Sequence, residues 1–217
     1  MSAAVVVAVD GPVASGKTTL AKRLAAANGL RFLDTGLLYR AVARRLLERE
    51  LSPEDATAAA SEAADVRAAE LDPTALQEER IGAAASAVAV HPAVRSVLLA
   101  VQRRFAADPP GAVLVGRDIG SVVCPDATLK LFVTASAAVR ARRRFEELRQ
   151  RGETAMYEGV LEDVRERDRR DQERAVAPLL VARDAICIDT SALSFDASLA
   201  ALQEALDQVR AKASTSP

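Results

Sequence analysis

Residues 11–18, with the sequence GPVASGKT, fit G-x-x-x-x-G-K-[ST], the pattern of a loop that binds nucleotide phosphates. An apolar run precedes this loop and a helix-forming stretch follows it, which is the strand–loop–helix context that the motif requires. Glycines let successive backbone N–H groups turn towards one phosphate, and the positive end of the helix dipole adds to the attraction. Lys17 is expected to reach the β- and γ-phosphates, and Thr18 to hold Mg²⁺ through its hydroxyl. The predicted triphosphate site consists of Gly11, Pro12, Val13, Ala14, Ser15, Gly16, Lys17, Thr18 and Thr19.

A second group of charged residues follows the spacing i, i+3, i+4, i+7, which places side chains on one face of a helix. Its members are Arg167, Arg170, Asp171 and Arg174. One interpretation is a solvated face with internal ion pairs, because acidic residues are interleaved with the arginines. The triphosphate loop favours another, since the forked guanidinium suits the neutralisation of charge while a γ-phosphoryl group moves.

Two shorter clusters also follow apolar runs. Thr35 and Gly36 are predicted to begin a helix capped by Thr35, so that Arg40 lies one turn further on, where an acceptor phosphate fits. Arg117 and Asp118 offer a cation and a carboxylate at a second such point. Each cluster has a structural interpretation as well: an ordinary strand-to-helix turn, and an Arg–Asp pair that stabilises a turn.

The elements that position these residues follow an alternating pattern. Helical patterns separate five short apolar runs, and this alternation predicts an α/β fold with a parallel sheet covered by helices on both faces. Ligands of such sheets bind at the carboxyl ends of the strands, where the polar clusters fall. The runs are residues 5–9, 31–33, 112–115, 130–133 and 185–188.

Two stretches interrupt the alternation. Residues 51–99 are rich in alanine and broken by prolines, which predicts an inserted helical subdomain. Residues 140–174 are densely charged, which is typical of a long helix or helical hairpin that projects into solvent. The small, polar residues 212–217 are predicted to form a disordered tail.

Composition narrows the class of protein further. A length of 217 residues fits one domain, and a net charge of −1 gives no basis for binding nucleic acid or an anionic membrane. Without an apolar span of 18 residues or a signal peptide, we expect a cytoplasmic protein, and its size and balanced charge favour a monomer. A single histidine and two cysteines without CxxC spacing argue against a histidine-based triad, a metal cluster or a disulfide framework.

The chain resembles the bacterial cytidylate kinases, a family of P-loop nucleoside monophosphate kinases, across residues 9–191. The matching stretches include VDGPVASGKTTLAKRLA, FLDTGLLYRAVA, ASAVAVHPAVR, VGRDIGSVVCPDATLKLFVTAS, RARRRFEEL and ERDRRDQERAVAPLLVARDAICIDTS. This resemblance implies a three-layer P-loop sandwich with a five-stranded parallel sheet, and phosphorylation of CMP or dCMP by ATP with Mg²⁺. It also implies a single kinase domain with its core at residues 1–50, 100–145 and 172–211, an NMP-binding insertion at about 51–99 and a lid at about 146–171.

The resemblance also assigns roles to residues. Cytosine contacts fall on Ser86, Arg95 and Asp118, and the remaining acceptor contacts on Thr35, Arg40, Arg117, Arg167, Asp171 and Arg174. A carboxylate at the base accepts from the exocyclic amine of cytosine and repels the carbonyl oxygen of uracil. The implied catalytic residues are Lys17, Arg117, Arg167 and Arg174, and one or more of the early lid arginines is expected to touch ATP: Arg140, Arg143 and Arg144.

The chain departs from the family pattern in two places. Many members carry a small β-ladder in the insertion, whereas residues 56–85 here are mostly helical in composition. Cys124 stands where an aromatic residue is usual, a change of packing.

Three other functions stay open. The acceptor can be a different nucleoside monophosphate, or a non-nucleotide such as shikimate. A P-loop switch that hydrolyses nucleotide slowly is a different class, although the guanine-reading motifs N-K-x-D and T-K-x-D are both missing from the sequence. An inactive homologue with a structural role is the third.

Overall fold

Five strands form one parallel sheet in the order β2-β3-β1-β4-β5 in a computed structural model that describes residues 4–215. Four strands extend a predicted apolar run and β5 is shifted by one residue from the fifth, so that the α/β class and the parallel sheet are confirmed. The strands are β1 (Val5–Asp10), β2 (Arg31–Asp34), β3 (Gly111–Gly116), β4 (Leu129–Thr134) and β5 (Ile186–Asp189).

Helices cover both faces of this sheet, which completes a three-layer sandwich. The helices are α1 (Lys17–Ala27), α2 (Gly36–Glu48), α3 (Ala56–Ala64), α4 (Glu79–Val88), α5 (Pro92–Ala107), α6 (Ala137–Gln150), α7 (Tyr157–Glu173) and α8 (Phe195–Thr215). In β1, Val7 and Val9 pack with α1 and α8 on one face, whereas Ala8 packs with α2 and α5 on the other. No single described helix is long and apolar enough to cross a membrane, although α4 and α5 together reach that length across a 104° bend.

Side chains at the helix starts explain several boundaries. The Asp55 carboxylate accepts from the backbone N–H groups of Thr57 and Ala58, at 2.9 and 3.0 Å, and so begins α3. Pro92 stands in the first turn of α5, where its missing N–H costs no hydrogen bond, as the His91-Pro92 pair predicts. These local signals fix the starts of α3 and α5, and α5 carries Arg95 of the candidate site.

The insertion is helical, and an ion pair joins the two helices of the hairpin. The described part of residues 51–99 holds helices and no strand, in agreement with the departure from a β-ladder. Helices α6 and α7 form the hairpin around a small apolar cluster that includes Leu148 and Val164. Arg140 on α6 fastens it, donating to both carboxylate oxygens of Asp168 on α7 at 2.9 and 2.6 Å.

One predicted boundary is wrong within the described residues. Helix α8 continues to Thr215, so residues 212–215 are helical and not part of a disordered tail. Alanine and lysine, which occupy 211–213, are strong helix formers and extend the preceding helix. Residues 216–217 of the predicted tail lie outside the described part of the chain.

Gly11 sits where the end of β1 passes closest to β4, and it gives the first prediction. Its φ is +151°, and a Cβ placed there would lie 2.0 Å from the carbonyl oxygen of Val133. We therefore expect Gly11→Ala to lower the free energy of unfolding by about 2–4 kcal/mol, measured by urea denaturation. The control is Gly159→Ala on α7, where nothing lies within 4 Å and alanine should stabilise the helix by about 0.5–1 kcal/mol. Equal unfolding midpoints for Gly11→Ala and the wild type would contradict this account of the loop.

Candidate active site

The loop between β1 and α1 forms a concave backbone cradle at the carboxyl edge of the sheet. Ala14 and Gly16 both have positive φ, 57° and 85°, which turns the chain before the first N–H groups of α1. Lys17 folds back over the loop, and its Nζ donates to the carbonyl oxygen of Pro12 at 2.9 Å. The hydroxyl of Ser15 is buried with no hydrogen-bond partner among the described residues. This geometry fits the predicted phosphate cradle, with Lys17 lying over it.

Lys17 is poised to respond to an anion. Lys17 is only 6% exposed, and burial, together with the nearby Arg117 cation, lowers its pKa to about 7. A bound triphosphate would favour the charged ammonium again, because opposite charges stabilise each other in a buried site.

Two hard oxygen donors meet beside this lysine. The Thr18 hydroxyl donates to a carboxylate oxygen of Asp34 at 3.1 Å, so that strand β2 supports the first turn of α1. Mg²⁺ is usually bound by few protein oxygens together with substrate phosphates and waters. The donor set of Thr18 and Asp34 therefore fits a Mg²⁺ ion that arrives with a nucleotide.

Thr35 lies at the β2–α2 turn and Arg40 one turn into α2, as predicted, but the Thr35 side chain does not form the predicted cap. Thr35 occupies the N-cap position of α2, yet its side chain caps no backbone N–H. Its hydroxyl instead donates to Val115 O on β3 at 2.8 Å, because this threonine is buried against the neighbouring strand. Its backbone N–H also donates to Val115 O, at 3.0 Å, and both bonds hold the turn against the sheet.

Arg40 connects α2 to the insertion. Its guanidinium donates to the backbone oxygens of Leu76 and Glu78, at 2.8 and 3.3 Å, at the start of α4. It lies against Gly82, where a Cβ would approach an Arg40 nitrogen to 2.7 Å. The absence of a side chain at Gly82 thus allows α4 to pack on this arginine.

The predicted base-contacting residues are brought together in part. Arg95 on α5 forms an ion pair with Asp118, and both side chains are buried. Arg174 approaches from the end of α7, with Nη2 3.7 Å from the other Asp118 oxygen, and this buried nitrogen has no hydrogen-bond partner among the described residues. Ser86 is less engaged, because its hydroxyl donates to Gly82 O within α4 at 3.2 Å.

The proposed arginine face of α7 is partly wrong. Arg117 Nε donates to Asp171 at 2.6 Å, which links the β3 loop to α7. Burial alone would raise the pKa of Asp171, but the Arg117 guanidinium holds that pKa below its usual value. Arg170 instead faces solvent and pairs with Glu166 at 3.3 Å, and Arg174 lies just past the helix end. One face of α7 is therefore solvated, whereas the opposite face directs charged side chains towards the cleft.

Arg140 and Arg143 both reach the phosphate loop. Arg143 donates to Ser15 O at 3.1 Å and to Thr190 O at 2.8 Å, so that it ties the loop to the end of β5. Arg140 is buried and donates to Val13 O at 3.3 Å. Both side chains hold the loop from behind through its carbonyl oxygens.

Comparison with known proteins identifies the family. The cytidylate kinase family model matches residues 7–208. The chain belongs to the cytidylate kinase family. A cytidylate kinase of Azorhizobium caulinodans is 55% identical over 206 residues, covering 94% of this chain and 99% of the relative. One from Xanthobacter autotrophicus is 55% identical over 95% of this chain and 99% of the relative. An uncharacterised protein of Eubacterium ventriosum, with a solved structure, shares the fold at TM-score 0.56 and 13% identity over 94% of this chain and 98% of its own.

Asp10 is a buried residue of this member of the cytidylate kinase family, and it connects two loops of the site. Asp10 ends β1, and its two carboxylate oxygens accept from the backbone N–H groups of Ile119 and Gly120, each at 2.8 Å. These bonds fix the loop that carries Arg117 and Asp118 against the start of the phosphate loop. A polar residue at a strand end was the only sequence signal for Asp10, and it did not reveal the partners.

Asp10 gives a prediction about this coupling. In Asp10→Asn the amide nitrogen would face one of the two N–H groups, so that one bond is lost and the loop shifts. We expect KM for CMP to rise about threefold to tenfold, as the loss of a buried hydrogen bond implies, with KM for ATP little changed. Steady-state kinetics of Asp10→Asn beside Asp126→Asn, an exposed control, measure this. A rise shared equally by both substrates would contradict the assignment to the CMP side.

The same variant tests the charge of Asp10. Burial raises its pKa to about 6 from 3.8. Between these values the folded state binds more protons than the unfolded state, so this group makes stability fall as pH rises. The melting temperature of Asp10→Asn relative to the wild type should therefore increase between pH 4 and 6. A constant difference across that range would contradict the buried-carboxylate interpretation.

Proposed function

We propose that this protein transfers the γ-phosphoryl group of ATP to CMP and dCMP, giving ADP with CDP or dCDP. The observation that carries the proposal is the buried Arg95–Asp118 pair, approached by Arg174, at the same sheet edge as the phosphate loop. Such a pair presents an acceptor beside donors. Cytosine offers the complement, an amine donor beside ring acceptors, and uracil does not. Membership of the cytidylate kinase family supports the same substrate class.

The reaction needs no nucleophile from the protein. An oxygen of the CMP phosphate is already anionic; it bonds to the γ-phosphorus as the bond from that phosphorus to the β–γ bridging oxygen breaks. The protein therefore contributes alignment and the neutralisation of charge on the transferring group. Mg²⁺, held by Thr18 and supported by Asp34, would neutralise the β- and γ-phosphates when bound.

Each side of the cleft has its own donors in this proposal. Lys17 and the loop amides hold the ATP phosphates, while Arg40 and Arg117 hold the acceptor phosphate. Arg167 on the lid and Arg174 at its C-terminal boundary close over the transferring group. Arginines acting at this point contribute roughly 10³–10⁵ in rate in other phosphoryl-transfer enzymes. Closure also excludes water, which limits the hydrolysis of ATP.

The deciding experiment is an acceptor panel. ADP release with MgATP is measured with CMP, dCMP, UMP, AMP and shikimate in parallel. We expect strong turnover with CMP and dCMP and weak turnover with UMP, because Asp118 repels the uracil carbonyl. Turnover with UMP or AMP equal to that with CMP would support kinase activity but refute the assignment of the base-contacting residues. Silence across the panel with ATP bound would favour the switch or the inactive homologue.

Lys17→Ala tests the donor side. We expect turnover to fall by roughly 10²–10³, as for the loss of one preorganised charge donor in an active site. The fold should persist, because a buried lysine with a lowered pKa costs stability at neutral pH. The control Lys22→Ala removes an exposed lysine from the same helix and should leave turnover unchanged. Turnover of Lys17→Ala within twofold of the wild type would exclude this residue from catalysis.

Asp118→Asn tests the base pocket. An amide nitrogen can donate to the uracil carbonyl, and the loss of the carboxylate weakens the contact with the cytosine amine. We expect the ratio of kcat/KM for CMP to that for UMP to fall roughly tenfold to a hundredfold, a change typical of a charged hydrogen bond. Asp126→Asn, an exposed neighbour in the chain, is the matched control. An unchanged ratio would place base recognition elsewhere.

A further inference from the structure

A carboxylate from the insertion lies among the lid arginines. Glu79 is the first residue of α4, and its two oxygens form separate ion pairs with Arg144 of α6 and Arg167 of α7. Arg144 also donates to Glu147 at 2.8 Å. Glu79 thus connects the insertion to both helices of the hairpin through one side chain.

The surroundings of Glu79 are strongly cationic. Burial alone would raise its pKa, but Arg167, Arg144 and Arg40 together hold that pKa below its usual value. Burial, and then the nearby Arg167 cation, lower the pKa of Arg40. Three guanidinium groups from α2, α6 and α7 therefore face a single carboxylate of the insertion, an arrangement suited to an anion of higher charge.

There is also room for another group beside this carboxylate. A cavity of about 260 Å³ is lined by Glu79, Arg144 and Arg167 and extends to Val13 of the phosphate loop. The Glu79 carboxylate is 44% exposed along its side chain and is not locked in the core. This cavity leaves space for a phosphate beside the same two arginines.

We propose that Glu79 is an internal counter-anion that holds Arg144 and Arg167 in place and is exchanged for the substrate phosphate when the nucleotide binds. Arg144 becomes a further phosphate-contacting residue alongside Arg40 and Arg167. The inference deepens the proposed function, on which it rests for the identity of the phosphate. Glu79 itself is a positioning residue and touches no reacting atom.

The exchange is energetically feasible because the Glu79 pairs are partly exposed. Such pairs contribute little net stability, since water screens them and ordering long side chains opposes them. A phosphate carries more charge and more acceptor oxygens than a carboxylate, so the two arginines bind a phosphate more strongly than they bind Glu79. A competitor of this strength would weaken phosphate binding about threefold to tenfold.

The sign of the effect separates exchange from a simple bridge. If Glu79 competes with the phosphate, its neutralisation tightens binding of phosphate-bearing ligands. If Glu79 only bridges the insertion and the lid, its neutralisation loosens the cleft and weakens binding. Cytidine, which lacks the phosphate, is unaffected by competition but is affected by a loosened cleft.

The test uses Glu79→Gln, which removes the charge and keeps the shape. The matched control is Glu78→Gln, whose exposed side chain carries the same charge on the preceding residue. Dissociation constants for CMP and cytidine are measured by calorimetry, and for inorganic phosphate by competition with a fluorescent nucleotide. We expect Glu79→Gln to bind CMP and phosphate about threefold to tenfold more tightly than wild type and cytidine equally well. We expect Glu78→Gln to resemble the wild type.

Weaker or unchanged binding of CMP and phosphate to Glu79→Gln would overturn the proposal. Arg144→Gln gives a second test, because a phosphate-contacting arginine must matter after its competitor is gone. It should weaken phosphate binding in the Glu79→Gln background as well, and no loss there would overturn the role of Arg144. Tightened phosphate binding without any CMP turnover would leave the exchange standing and refute only the proposed acceptor.

Discussion

Mutual repulsion among arginines is the constraint on which this cleft depends. A site for two anionic nucleotides must gather cations at one sheet edge, and guanidinium groups close together in a partly buried cleft destabilise one another. Five of these arginines are paired with a carboxylate from a different element. Arg95 pairs with Asp118, Arg117 with Asp171, Arg140 with Asp168, and Glu79 serves Arg144 and Arg167.

These pairs do more than balance charge, because their members come from separate parts of the fold. The Arg95–Asp118 pair joins α5 to the loop after β3, and the Arg117–Asp171 pair joins that loop to α7. Buried ion pairs contribute little net stability, since desolvation offsets their attraction, but breaking one leaves an uncompensated charge. Their effect is therefore to fix where core, insertion and hairpin meet. The carboxyl edge of the sheet is positioned by charge as much as by apolar packing.

The sequence permits prediction of what is local, and it fails where the partner is remote. Strands and the phosphate loop are recognisable because their signals are contiguous apolar runs and a short motif. Asp10 accepts from residues more than a hundred positions away, and Glu79 meets arginines from two later helices, so neither partner set has a local signature. Arg170 shows the opposite error: its helical spacing was right, but the spacing alone did not show that it faces solvent.

The Asp118 carboxylate takes part in base recognition and also lies close to Arg174 at the end of the hairpin, so it can link the choice of base to the position of the lid. Arg174, at the end of the hairpin, lies 3.7 Å from the Asp118 oxygen that is not used by Arg95. In the proposed function the cytosine amine also binds to the Asp118 carboxylate, so a correct base changes the surroundings of Arg174. Arg174 has a buried nitrogen with no hydrogen bond among the described residues, and it has much to gain from a phosphate or sugar oxygen nearby. A base that satisfies Asp118 thereby frees Arg174 for the phosphate side of the cleft, which ties selection of cytosine to closure over the transferring group.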